Sequence, residues 1–194
     1  MSSSLEPCIV VLTAPSGSGK TTMASRLLQA FDGMRFSISA TTRKPRQNEV
    51  DGVHYHFLSQ ERFDREQLAG RLVEYEEVYP GCNYGTFMSE VERSSKKEPV
   101  LLDIDVKGAA NVKRIYDSLA LVIFVRAPSI QVLEERLRNR KTEPEELFQV
   151  RLERAKMELT FEDRFDHKIV NDVLDDAVEE AIQLVANFLS RNTG

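Results

Sequence analysis

Residues 14–21 read Ala-Pro-Ser-Gly-Ser-Gly-Lys-Thr, and that order of residue types suits the holding of phosphates. Small residues let successive backbone N–H groups turn inward on an anion. Lys20 is long enough to reach β and γ phosphates, and the Thr21 hydroxyl can sit on Mg²⁺. The layout is that of a Walker A loop, with Ala14 where the pattern usually has Gly. The preceding run, Cys8–Thr13, is apolar, and the following residues start a helical pattern whose N-terminal dipole adds to anion binding. Ala14, Pro15, Ser16, Gly17, Ser18, Gly19, Lys20, Thr21 and Thr22 therefore form a candidate nucleoside triphosphate site.

Such a loop leaves the reaction open. A hydrolase needs a positioned water, whereas a kinase needs a second site for an acceptor and arginines for the charge on the transferred group. Residues 36–57, FSISATTRKPRQNEVDGVHYHF, offer Arg43 and Arg46, two forks three apart and ringed by hydroxyls, which suit a dianionic monophosphate. Tyr55 and Tyr84 can add phenolic donors without adding charge. Asp105 ends a central apolar run beside the phosphate loop, where a carboxylate can organise Mg²⁺, often through water, or the acceptor; it can equally cap the helix that follows. Arg136 and Arg140 lie four apart on one helical face, and Arg151 follows Pro144 in the next helix.

The stretch 36–57 resembles the nucleotide-binding lobe of the guanylate kinases, whose pattern is Ser-x-Thr-Thr-Arg-x-Pro-Arg-x-Gly-Glu followed by a Gly and a Tyr-x-Phe. Here those positions are Ser39, Thr41, Thr42, Arg43, Pro45, Arg46, Asn48, Glu49, Gly52, Tyr55 and Phe57. The resemblance runs from Ala14 to Asn171 and the closing helix. It implies a phosphoryl transfer from MgATP to GMP, with dGMP as a second acceptor, in purine nucleotide metabolism. It implies that Arg43, Arg46, Tyr55 and Tyr84 hold the acceptor phosphate, that Ser39 and Thr86 contact the base, and that Asp103 and Asp105 lie near the acceptor. It places Arg136 and Asn171 at the ATP site, Thr21 and Asp105 at Mg²⁺, and Lys20, Arg43, Arg140 and Arg151 on the transferring phosphoryl group.

Guanine presents two donors on one edge, N1–H and the 2-amino group. A carboxylate accepts both, while adenine would leave it unpaired, a mismatch that discriminates by about 10⁴–10⁵-fold. By resemblance this carboxylate is Glu74, although the segment 74–84 is one residue longer than the commonest family spacing and leaves Glu76 and Glu77 as competitors. Asn48 replaces a family Gly as the next most tolerant residue for a left-handed backbone. Asn83 stands where many relatives have a second Tyr. Two rival readings are a kinase of another phosphorylated ribose compound and a binding module that has lost catalysis. Glu74, Ser39 and the tyrosines argue against the first, and the intact Gly19-Lys20-Thr21 against the second.

These residues need a frame. Apolar runs at 8–13, 100–104, 120–125 and 168–170 alternate with helical patterns at 20–31, 106–116, 130–140 and 144–159. In a closing helical pattern at 175–190, Val178, Ile182, Val185 and Leu189 share one face. Alternation of this kind predicts an α/β fold, a three-layer phosphate-loop core with a parallel sheet. Residues 36–97 read differently, with strands expected at 52–59 and 71–79, and predict an inserted, partly β lobe. The expected organisation is a single unit with its core at about 5–36, 98–130 and 165–194, a GMP-binding lobe at about 37–97 and a helical lid at about 131–164.

Composition narrows the setting. The 194 residues carry a formal charge of −5, with 41% hydrophobic and 29% charged residues, which argues against broad nucleic-acid binding and for an ordinary globular chain. Two cysteines, Cys8 and Cys82, are too few for a disulfide framework, and no apolar run reaches the roughly 20 residues of a membrane span. The expectation is a cytoplasmic protein with small-molecule partners, ATP and GMP, with neither nucleic acid nor membrane, and with homo-oligomerisation left open. Cys8 reads as a small buried hydrophobe, and His54, His56 and His167 as surface residues rather than metal ligands.

Overall fold

A computed structural model describes residues 6–139 and 145–191. In chain order the elements are β1 (Ile9–Thr13), α1 (Lys20–Ala30), β2 (Arg35–Phe36), β3 (Ala40–Thr41), β4 (His56–Phe57), α2 (Gln60–Leu68), β5 (Leu72–Tyr79), β6 (Cys82–Phe87) and α3 (Met88–Glu92). There follow β7 (Val100–Asp103), α4 (Val106–Tyr116), β8 (Ala120–Arg126), α5 (Ile130–Arg138), α6 (Glu145–Leu159), β9 (His167–Val170) and α7 (Leu174–Arg191).

The first sheet has the order β2-β7-β1-β8-β9, and every pairing in it is parallel. β1 is buried along its whole length because both faces are covered. Its side chains alternate between two clusters, as the two-residue period of a strand requires. Val10 and Leu12 pack with Met23 and Leu27 of α1 and Ala181 and Val185 of α7. Ile9 and Val11 pack on the opposite face with Ala109 and Val112 of α4 and Val73 of β5. Burying each such side chain contributes ~1.5–3 kcal/mol to the fold. On α7, Val178 and Val185 are buried, and Ile182 and Leu189 pack at the edge of the cluster that holds Val185. Cys8 is buried, and its thiol is pushed up to about 11 by that burial.

The insertion forms a second sheet, β4-β3-β6-β5, in which β5 and β6 make an antiparallel hairpin. Ala40, Leu58, Phe63 and Leu72 form a small core of its own, with Phe87 packed against it. α5 and α6 pack through a further cluster that includes Leu133, Leu137, Phe148, Leu152 and Ala155. No described helix is long and apolar enough to cross a membrane.

Two expectations are corrected here. The strand expected at 52–59 is reduced to His56–Phe57. Ahead of it the chain turns, because the Val50 N–H donates to His54 Nδ1 (3.0 Å) and the Phe57 N–H to Asp51 Oδ1 (2.8 Å), local bonds that compete with a ladder. Asn48 has no left-handed backbone; among described non-glycine residues only Asp117 has positive φ. His56 packs edge-on against Phe87, 5.4 Å between ring centres.

Candidate active site

The phosphate loop joins the carboxyl end of β1 to α1. Gly19 sits at the helix start with φ 88°, a conformation that L side chains avoid. A β-carbon there would run into Asn171 Nδ2, so a larger residue has to displace the Asn171 amide as well as adopt a strained backbone. Asn171 is buried, and its Nδ2 donates to the Ser18 carbonyl (2.8 Å), which ties the loop to the end of β9. Arg136 reinforces this joint, since both its Nη groups donate to the Asn171 carbonyl (3.2 and 3.1 Å). No side chain caps α1, and its first turn holds no acidic residue. The first N–H groups and the positive end of the helix dipole are left for an anion.

Lys20 leads that helix. Its Nζ lies 2.5 Å from Asp103 Oδ1 and donates to the Ile104 carbonyl (3.1 Å), both at the carboxyl end of β7. Asp105, two residues on, caps α4: its Oδ1 accepts the N–H groups of Lys107 (2.9 Å) and Gly108 (2.8 Å). Its Oδ2 faces Arg154 Nη2 at 3.3 Å.

Opposite the loop stands the second sheet. Glu74 on β5 is 6% exposed and accepts a hydrogen bond from Thr86 Oγ1 on β6 (2.6 Å). Burial, with help from Asp105 and Glu76, pushes its carboxyl up to about 7 against the pull of the Thr86 bond. Glu76 instead meets Lys107 (3.2 Å), and Glu77 accepts the Gly81 N–H (2.7 Å) in the hairpin turn. Of the three competing carboxylates, Glu74 alone is both buried and turned to the cleft. Arg43 is held by three partners: its Nη groups make a two-pronged bond to Glu49 (2.8 and 2.9 Å), Nη1 also donates to the Lys44 carbonyl (2.8 Å), and Nε donates to Tyr84 Oη (3.1 Å). The Glu49 bonds, partly opposed by burial, raise the pKa of the guanidinium, while the Arg43 and Arg46 N–H donors hold Glu49 down at about 2. Tyr55 and Tyr84 stand edge to face at 5.9 Å. Burial raises the Tyr55 phenol, so it stays a neutral donor.

One cleft of about 370 Å³ joins the two halves. Ala14 to Thr22, apart from the buried Ser18, line its floor; Ser39, Tyr55, Glu74 and Tyr84 line one wall, and Asp103 and Asp105 the base. Thr86 lies behind Glu74, fully buried. Arg43 reaches the cleft through Tyr84, whereas the Arg46 side chain is exposed and only its backbone N–H joins Glu49 (2.7 Å). Arg151 is half-buried on α6 and does not line the cleft; Arg140 lies outside the described residues. The hydroxyls around the arginine forks serve the hairpin: Thr41 Oγ1 donates to the Asn83 carbonyl (2.9 Å), and Thr42 Oγ1 accepts the Asn83 N–H (2.9 Å). Asn83 itself reaches Gln60 (3.0 Å), tying the hairpin to α2. Sequence reasoning missed Arg154 and Glu158 of α6, which line the same cleft as Lys20.

A parallel sheet with a glycine-bearing loop at its carboxyl edge, an uncapped helix start and a lysine at its mouth define a phosphate-loop nucleotide-binding protein. The guanylate kinase family model matches residues 6–188, and the chain belongs to that family. It is 56% identical to the guanylate kinase of Salinibacter ruber, over 94% of this chain and 97% of that one. It is 51% identical to that of Chlorobium luteolum, over 94% and 92%. The crystal structure of guanylate kinase from Anaplasma phagocytophilum superposes with a TM-score of 0.76 at 28% identity, covering 94% of this chain and 86% of the other.

Proposed function

We propose that the chain transfers the γ-phosphoryl group of MgATP to GMP, giving ADP and GDP, with dGMP as a second acceptor. The observation that carries this reading is the single cleft with a phosphate loop on one side and the buried Glu74 on the other. A phosphate oxygen of GMP attacks the γ-phosphorus, the bond to the β–γ bridging oxygen breaks, and ADP leaves with that electron pair. The acceptor oxygen is ionised near neutral pH, so no general base is required. Rate enhancement comes from in-line placement and from cations on the equatorial oxygens. Lys20 holds the β and γ phosphates, Arg43 and Arg46 hold the acceptor phosphate with Tyr55 and Tyr84, and Arg140 and Arg151 add charge to the transferring phosphoryl group.

The donor set fits Mg²⁺, a hard cation that keeps several waters. Thr21 presents a hydroxyl at the first turn of α1, while both Asp105 oxygens already have partners, so Thr21 would bind directly and Asp105 through water. Bound there, Mg²⁺ neutralises charge on the β and γ phosphates. Residues 37–97 act as the acceptor lobe and 131–164 as a lid that excludes water. The enzyme would serve purine nucleotide metabolism in the cytoplasm, where two unpaired cysteines stay reduced.

A coupled ADP-release assay with MgATP and GMP, dGMP, AMP, CMP or UMP tests the reading. Turnover with GMP, followed by dGMP, is expected; ADP release that none of the five stimulates would overturn it.

A further inference from the structure

Arg154 touches three separately anchored parts of the molecule. It projects from α6, whose apolar side is packed on α5 rather than on the main sheet. Its Nη1 donates to the Val78 carbonyl on β5, and its guanidinium lies 5.3 Å from the Tyr79 ring centre, so it grips the second sheet. Its Nη2 lies 3.3 Å from Asp105 Oδ2, at the helix start that follows β7 in the first sheet. Its Nε donates to Glu158 on α6 itself (2.8 Å), which fixes the fork. The side chain is only 19% exposed, and its partners Asp105 and Glu158 are 14% and 6% exposed.

Charge adds to the geometry. Among described residues lining the cleft, Lys20 and Arg154 are the cations, against the carboxylates of Glu74, Glu76, Asp103, Asp105 and Glu158. Removing Arg154 leaves Asp105 Oδ2 and Glu158 buried without their cation. A lysine would keep the charge but could not make bonds in three fixed directions.

We propose that Arg154 is a positioning residue that couples the two nucleotide sites. Through it, the seating of α6, that of β5 beside Glu74 and that of Asp105, two residues beyond the Lys20 partner Asp103, are set together, so occupancy of either site favours the arrangement that binds the other. This rests on the kinase reading above and assigns to Arg154 a role distinct from phosphate contact. Coupling of this kind is reciprocal and is measured as a ratio of affinities.

The test is the dissociation constant of GMP by titration calorimetry, with and without a non-hydrolysable MgATP analogue, in wild type, Arg154→Met and Arg154→Lys. Wild type is expected to bind GMP at least about 5-fold more tightly with the analogue present. In Arg154→Met that ratio falls to within about twofold of unity, while GMP affinity without the analogue shifts less than about threefold. Arg154→Lys is expected in between, and serves alone if the methionine variant does not fold. A ratio retained in the variants overturns the proposal. So does a loss of GMP affinity without the analogue of more than about tenfold, which would make Arg154 an acceptor contact. A wild type that binds GMP with a ratio of one sinks the coupling alone; one that binds no GMP sinks the kinase reading with it.

Discussion

A β-carbon on Gly108 would stand 2.5 Å from Oε2 of Glu74. The first turn of α4 is thus a wall against which the buried carboxylate rests, and only the missing side chain makes room for it. Because the obstructing atom ends a flexible side chain, Gly108→Ala displaces Glu74 without breaking the backbone. Alanine is also favoured over glycine in a helix by ~1 kcal/mol. The variant is expected to melt within a few degrees of wild type while its KM for GMP rises roughly 10- to 100-fold, the cost of one mispaired buried group. KM for ATP should change less than about threefold, since the phosphate loop is untouched. Parallel rises in both constants would detach Gly108 from acceptor binding.

Glu74 also sets a pH dependence. Its carboxyl titrates near 4.5 in the unfolded chain and is pushed up to about 7 in the fold by burial. Between those values the folded state binds the extra proton, so this group's contribution to stability is full below about 4.5 and is lost as pH rises towards 7. Glu74→Gln carries no such charge. Its stability relative to wild type should climb across that window and level off above it, by at most ~3 kcal/mol. Denaturant unfolding at several pH values checks this, and a constant difference would remove the burial effect.

The joint between Asn171 and the phosphate loop makes a third prediction. Asn171→Ala strips the buried Ser18 carbonyl of its donor and should cost ~1–3 kcal/mol in unfolding free energy. KM for ATP should rise several-fold, with KM for GMP little changed. Gly19→Ala meets both a forbidden φ and the Asn171 amide, and should weaken ATP binding by more than about tenfold. Calorimetric titration of each variant with MgATP is the check.

Arg46→Ala separates the acceptor phosphate from the donor. The side chain is exposed, so thermal stability should not move. KM for GMP should rise by about tenfold or more and KM for ATP by less than about threefold, the loss of one charge-assisted fork. Equal effects on both substrates would take Arg46 out of the acceptor site.

The main sheet was readable because its strands are apolar on both faces and its helices carry a clear stripe, as in Val178, Val185 and their neighbours on α7. The second sheet was readable in part: the strand expected at 71–79 is β5, whereas α2 and the turn before β4 gave no such pattern. α2 buries one side chain, Phe63, and so has no apolar period to find; its real signal is Ser59, whose Oγ accepts the Arg62 N–H (3.2 Å). The turn before β4 is made by His54 and Asp51 bonding backbone, in a stretch that alternates like a strand. At the site, motif residues lay at fixed spacing and could be named in advance. Arg154 could not, since a charged residue on a charged helix gives no sign that its helix folds back over β5 and Asp105.

The second sheet keeps its own apolar core, Ala40, Leu58, Phe63 and Leu72, sharing no residue with the clusters beneath the phosphate loop. In evolutionary terms this makes the two halves separately editable. Val73 of β5 is the exception, since it packs with Ile9 and Val11 of β1, but substitutions on β3 and β6 can redraw the proposed acceptor pocket while the packing that aims Lys20 stays as it is. A change of acceptor is then a short walk through sequence space, with the donor chemistry inherited intact at every step.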